Sequence, residues 1–128
     1  MADDKLYEAA WAKVREYRGP TGKIGVGPMA ELSPTLDRLK DELLWGVLWS
    51  DPCVDIKTRC LCTISVLAVL GMEEQLKNHM GWALHIGITK DQIVSILSQM
   101  MIYGGLAPSH NAMRVAKELF VEKGLVKG

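Results

Sequence analysis

An all-α fold of about six helices follows from three features of the sequence. Apolar residues recur at spacings of three and four along most of the chain. Glycine and proline interrupt those runs at Gly19-Pro20, Asp51-Pro52, Gly71 and Gly104-Gly105. No stretch alternates with period two, as a half-buried strand would. The chain has 128 residues and 48% hydrophobic content, enough for a single core, so one domain over 1–128 is expected.

The first helix is expected over 3–18. Asp3 or Asp4 can cap it, and Leu6, Tyr7, Ala10, Trp11, Val14 and Tyr17 recur at helical spacing up to Gly19-Pro20. Residues 19–31 read as a loop, because Pro20 to Met29, PTGKIGVGPM, is rich in glycine and proline. Its GPTGKIG stretch lacks phosphate-loop spacing and follows no strand, which leaves a flexible crossing or lid. Ser33-Pro34 is a strong helix start, and Leu36, Leu39, Lys40, Leu43, Leu44, Val47 and Leu48 carry the period to about Trp49. Asp51-Pro52 ends it. Trp45 and Trp49 are four apart and suit a core or a subunit contact.

Asp55 caps the next helix, which has Ile56, Cys60, Thr63, Val66, Leu67 and Leu70 on one side and Leu61, Ile64, Ala68 and Val69 around the rest. A helix apolar nearly all round is enclosed by protein. Arg59 in its first turn needs an anionic partner, either a carboxylate of this protein or an acidic ligand. Thr89 caps the following helix, with Gln92 in its first turn and Ile93, Ile96, Leu97, Met100 and Met101 as its apolar face. Ala107-Pro108-Ser109 opens the last helix, which runs to Gly124. His110 then falls in a first turn, where unpaired backbone N–H groups disfavour a protonated imidazole.

The stretch between, Met72 to Ile86, carries the residue of greatest interest. On a helical wheel Met72, Leu76, Met80, Ala83, Leu84 and Ile86 share a sector and His79 falls inside it, whereas Glu74, Lys77, Asn78 and His85 fall opposite. His79 is then either a core histidine bonded to a backbone carbonyl or a proton-transferring group beside a cavity.

Composition excludes several classes of function. Fifteen basic residues balance fifteen acidic ones with no basic run, so a nucleic-acid partner is not expected. Cys53, Cys60 and Cys62 form no CxxC, and on a helix Cys60 and Cys62 point about 200° apart, so neither a disulfide framework nor a shared metal is indicated. The three histidines give no HxxxH ligand motif. The start, MADDKLYEAAW, lacks the regions of a secretory signal peptide, and no apolar run approaches the roughly 20 residues that span a bilayer. A cytoplasmic protein without membrane association is expected. The amount of hydrophobic helix surface points to a homo-oligomer.

Four motifs resemble the carboxymuconolactone decarboxylase family, whose superfamily includes the AhpD-type alkylhydroperoxidases. They are the DIKTR helix start at Asp55 to Arg59, EEQLKNHMGWALHIGIT from Glu73 to Thr89, YGGLAPSHNA from Tyr103 to Ala112, and the RVAKELF that follows. The resemblance covers about 32–120. It implies an AhpD-like bundle of antiparallel helix pairs, assembled as trimers or hexamers, with a pocket near the subunit contacts. It places His79 on the family's proton-transferring histidine and Arg59 on the arginine of its TR pair. Cys60 stands where many members carry an acid. Ala107 stands at the usual proline, and His110 where an apolar residue is common. The peroxidase branch needs a CxxC ahead of its histidine, and GMEEQLKNH has none, so peroxidase activity is not expected.

The resemblance implies a cofactor-independent lyase acting on a cyclic, anionic or enolisable small molecule, with His79 as general acid or base. Arg59 would hold the anion, and His110 would orient the substrate or move a second proton. Two other readings stay open: an isomerase or cyclase using the same pocket without loss of CO₂, and a non-catalytic helical oligomer.

Overall fold

The computed structural model describes residues 4–128 and is all-α, with no strand among them. The helices are α1 (Lys5–Arg18), α2 (Pro28–Leu32), α3 (Pro34–Asp41), which continues as a π-helical segment (Glu42–Leu48), α4 (Ile56–Leu70), α5 (Glu73–His85), α6 (Lys90–Gly104) and α7 (Leu106–Glu122). They fall into two compact units, one ending at Ile56 and the other running Lys57–Gly128. No helix among the described residues is long and apolar enough to cross a membrane.

In the first unit α1 packs on the π-helical segment. Ala10, Val14 and Tyr17 are buried on α1, and the Tyr17 ring lies 4.5 Å from Trp49 and 5.7 Å from Trp45, centroid to centroid. Close approach depends on Gly46, where a Cβ would stand 2.6 Å from the Leu6 carbonyl oxygen. The expected cap at Asp3 lies outside the described residues. Asp4 occupies the cap position without a capping bond, and its carboxylate accepts from Arg38 Nη2 at 2.5 Å.

The loop expected over 19–31 is correct only in part, because Pro28 at the first helical position starts the five-residue α2. Ile24, within the loop, is buried. Ser33 does precede α3, yet its hydroxyl makes no capping bond.

A larger difference concerns which side of α3 faces inward. The leucines trace a helical period, but Leu36, Leu39 and Leu43 are 53%, 58% and 57% exposed, and the buried stripe is Asp37, Asp41, Trp45 and Trp49. The two indoles carry the largest apolar area on this segment, and they turn it. The carboxylates that come inward with them share one cation: Lys40 Nζ lies 3.0 Å from an oxygen of each. Asp41 Oδ2 is buried with no hydrogen-bond partner among the described residues.

The second unit is built of α4 to α7. A capping box starts α6: the Thr89 hydroxyl accepts from Gln92 N–H, while the Gln92 side chain accepts from Thr89 N–H. Gly105 (φ 103°) separates α6 from α7, and the Ser109 hydroxyl ties them by donating to the Leu97 carbonyl at 3.1 Å. Gly104 lets α6 meet α4, since a Cβ there would collide with Val69. Arg114 on α7 pairs with Glu73 on α5, and Lys77 with Glu122 at 2.6 Å, joining α5 and α7 on the surface.

Candidate active site

His79 sits on α5 at the border between the face buried by Leu76, Met80 and Ala83 and the side carrying Trp82. It is half-buried. The Trp82 ring meets the imidazole edge-on, with centroids 4.8 Å apart and planes at 77°. His85 is exposed, as its place on the opposite sector requires.

The backbone of His79 is also where α4 meets α5. The fully buried Cys60 thiol donates to the His79 carbonyl oxygen at 3.8 Å. Arg59, the residue before it, is half-buried in the first turn of α4, with its carbonyl accepting from the Thr63 hydroxyl at 2.9 Å. Arg59 and His79 are therefore carried by two helices that touch at the residues themselves or next to them.

His110 is placed differently from the expectation. The last helix begins at Leu106, and Pro108 is its third residue, so His110 lies in the second turn, where the helix-terminus field has fallen off. Ser109, Ala112, Val115 and Ala116 take the buried face, leaving His110 exposed. Its side chain has no hydrogen bond or ring contact among the described residues.

The expectation that α4 is enclosed on every side fails for the single chain. Cys60, Ile64 and Ala68 are buried, but Thr58, Cys62, Val66 and Leu70 form an exposed stripe, with Val66 and Leu70 at 51% and 62% exposure. Beside it runs an apolar groove of about 520 Å³, to which Ile96 and Met100 of α6 contribute. None of His79, Arg59 and His110 lines it. Among the described residues no three His, Cys, Asp or Glu side chains cluster as metal ligands would.

Sequence reasoning passed over Trp82 and Cys60 as neighbours of His79. Trp82 is three residues along the same helix, a spacing at which side chains meet, and that signal was available. The Cys60 contact joins two helices and could not be read from either.

The structure defines an all-α helical fold. The family comparison agrees with it. The sequence model of the carboxymuconolactone decarboxylase family matches residues 34–118, and the chain belongs to that family. It is 38% identical over 81 residues to the 4-carboxymuconolactone decarboxylase of Acinetobacter baylyi, a match covering 63% of this chain and 60% of that protein. It is also 33% identical over 121 residues to a 15.0 kDa protein of Paracoccus denitrificans, described as uncharacterized and from the nqo9-nqo10 intergenic region, covering 93% of this chain and 90% of that one.

Proposed function

We propose that the chain is a cofactor-independent lyase of the carboxymuconolactone decarboxylase type, acting on a cyclic carboxylated molecule with His79 as general acid and base. The observation that carries this reading is the placement of His79, half-buried against Trp82 rather than sealed in the core. An imidazole with an ordinary value near 6.5 exchanges protons readily at neutral pH.

The chemistry follows from the substrate class. Breaking the C–C bond to the carboxylate releases CO₂ and leaves the electron pair on carbon, delocalised into a conjugated carbonyl as an enolate. Protonated His79 then delivers its proton to carbon, and the neutral imidazole recovers one from water. Arg59 holds the anion and stabilises the enolate oxygen. His110, exposed in the single chain, orients the substrate only where a second copy brings it to the site.

The exposed stripe of α4 and the leucines of α3 support a homo-oligomer, a trimer or hexamer, because apolar ridges of this extent are covered in assembled particles.

Incubation with 4-carboxymuconolactone tests the reading. CO₂ release by the native protein, with loss of at least about a hundredfold in His79→Ala, is the expected result. A folded, assembled His79→Ala protein with full turnover would remove His79 from the chemistry. Consumption of the lactone without CO₂ would favour an isomerase or cyclase, the reading motivated by the altered turn at Ala107-Pro108.

A further inference from the structure

Two exposed apolar surfaces of the chain differ in shape. Leu36, Leu39, Leu43 and Val47 stand out from α3 and the π-helical segment, and the last three, spaced four apart, form a ridge along it. The groove on α4 is the concave counterpart, lined by Leu61, Val66, Val69, Ile96 and Met100. The ridge belongs to the first unit and the groove to the second.

Neither surface holds a charge that docking would strand. Every charged side chain of α3 and the π-helical segment is already paired within the chain: Arg38 with Glu42, and Lys40 with both Asp37 and Asp41. No charged residue lines the groove, and the Ser65 hydroxyl at its edge donates to the Leu61 carbonyl at 2.8 Å. Covering the two surfaces therefore removes apolar area from water without desolvating an unpaired ion or orphaning that hydroxyl.

The exposed area agrees with one such contact. The chain exposes 7982 Å², whereas a folded monomer of 14.2 kDa exposes about 6,800 Å². The excess of about 1,200 Å² lies at the lower end of what a stable contact between two proteins buries in total.

We propose that the ridge of one copy packs into the α4–α6 groove of the next, so that the contact between subunits is head-to-tail and not two-fold. Each chain then gives one ridge and one groove, and the area it loses is that of one whole contact. A ridge packed on a second ridge would leave the groove uncovered. The inference rests on the assembly proposed above and is independent of the chemistry at His79.

Cys62 is exposed and lines the groove, so it reports on what enters. In the whole chain carrying Cys53→Ser, the ridge receives Leu36→Cys, Leu39→Cys or Leu43→Cys in turn. Mild oxidation is followed by non-reducing electrophoresis and peptide mass spectrometry. At least one of the three should give a covalent dimer linked from the ridge to Cys62 of a second copy, since a disulfide forms only where Cα atoms come within about 7 Å. That dimer should disappear when Cys62→Ser is added, with the circular dichroism unchanged throughout. A ridge-to-ridge disulfide overturns the proposal in favour of a two-fold contact, and a link from ridge to Cys62 inside one chain overturns it in favour of self-coverage. Absence of any link from all three positions also overturns it. Sedimentation of the native protein separates the two readings: single chains remove the assembly and this contact together, whereas an assembled particle with one of those three results loses only this contact.

Discussion

The Cys60 thiol donates to the carbonyl oxygen of His79 across 3.8 Å, at a position with no solvent exposure. The residue following the arginine of the TR pair thus rests against the backbone of the proposed catalytic histidine. An acid at this position would face a carbonyl, acceptor against acceptor, unless it were protonated or the helices moved apart. Cys60→Asp should therefore destabilise the fold by about 3 kcal/mol, read from urea unfolding. Cys60→Ala, which removes the donor without adding charge, should cost only about 1 kcal/mol.

Trp82 meets the imidazole of His79 edge-on at 4.8 Å. Ring pairs of this kind contribute about 0.5–1.5 kcal/mol, enough to favour one ring orientation. Trp82→Ala should leave the helical content intact and lower turnover by about tenfold, and the His79 ring-proton NMR shifts should move. Trp82→Phe should restore most of both readouts.

Lys40 stands between two buried carboxylates. Burial lowers its pKa, but the hydrogen bonds from the ammonium to Asp37 and Asp41 outweigh that and hold the pKa above its ordinary value. A raised folded-state pKa gives stability that is complete below the unfolded value and is lost as pH climbs through the folded one. The stability contributed by the Lys40 ammonium should therefore be lost at alkaline pH, above about 10.4. Lys40→Met should destabilise by about 2 kcal/mol, below the usual figure for a broken buried pair because the lysine side chain is 41% exposed. It should also remove the alkaline transition.

Val66 and Leu70 on α4 are 51% and 62% exposed among the described residues. Val66→Glu and Leu70→Glu should convert the proposed homo-oligomer to single chains in sedimentation equilibrium, with helical content retained. An unchanged mass would place the subunit contact on another face.

Helix positions were largely legible in the sequence, because the punctuating residues act locally. Thr89 and Gln92 form the expected capping box, and Gly19 and Gly71 mark ends with positive φ. Tertiary effects were not legible. The π-helical turn around Gly46 exists where α1 presses its backbone at Leu6 against the segment. The inward turn of Asp37 and Asp41 follows from the packing of Trp45 and Trp49, which outweighs a leucine period that points outward. For the site, the wheel put His79 on the apolar side, and the structure refines this to its margin. His110 was misplaced because Leu106 extends the helix a residue before Ala107, with Pro108 accommodated in its first turn.

The aromatic residues are divided in a way that makes each unit optically distinct. Trp45 and Trp49 are enclosed with Tyr17 in the first unit, while Trp82 in the second touches an ionisable ring. Shielded indoles emit at shorter wavelength than hydrated ones, and an imidazolium in contact with an indole quenches it. The fluorescence of the native chain therefore includes a shielded component from Trp45 and Trp49, which reddens when the amino-terminal unit opens, beside those of the half-buried Trp11 and Trp82.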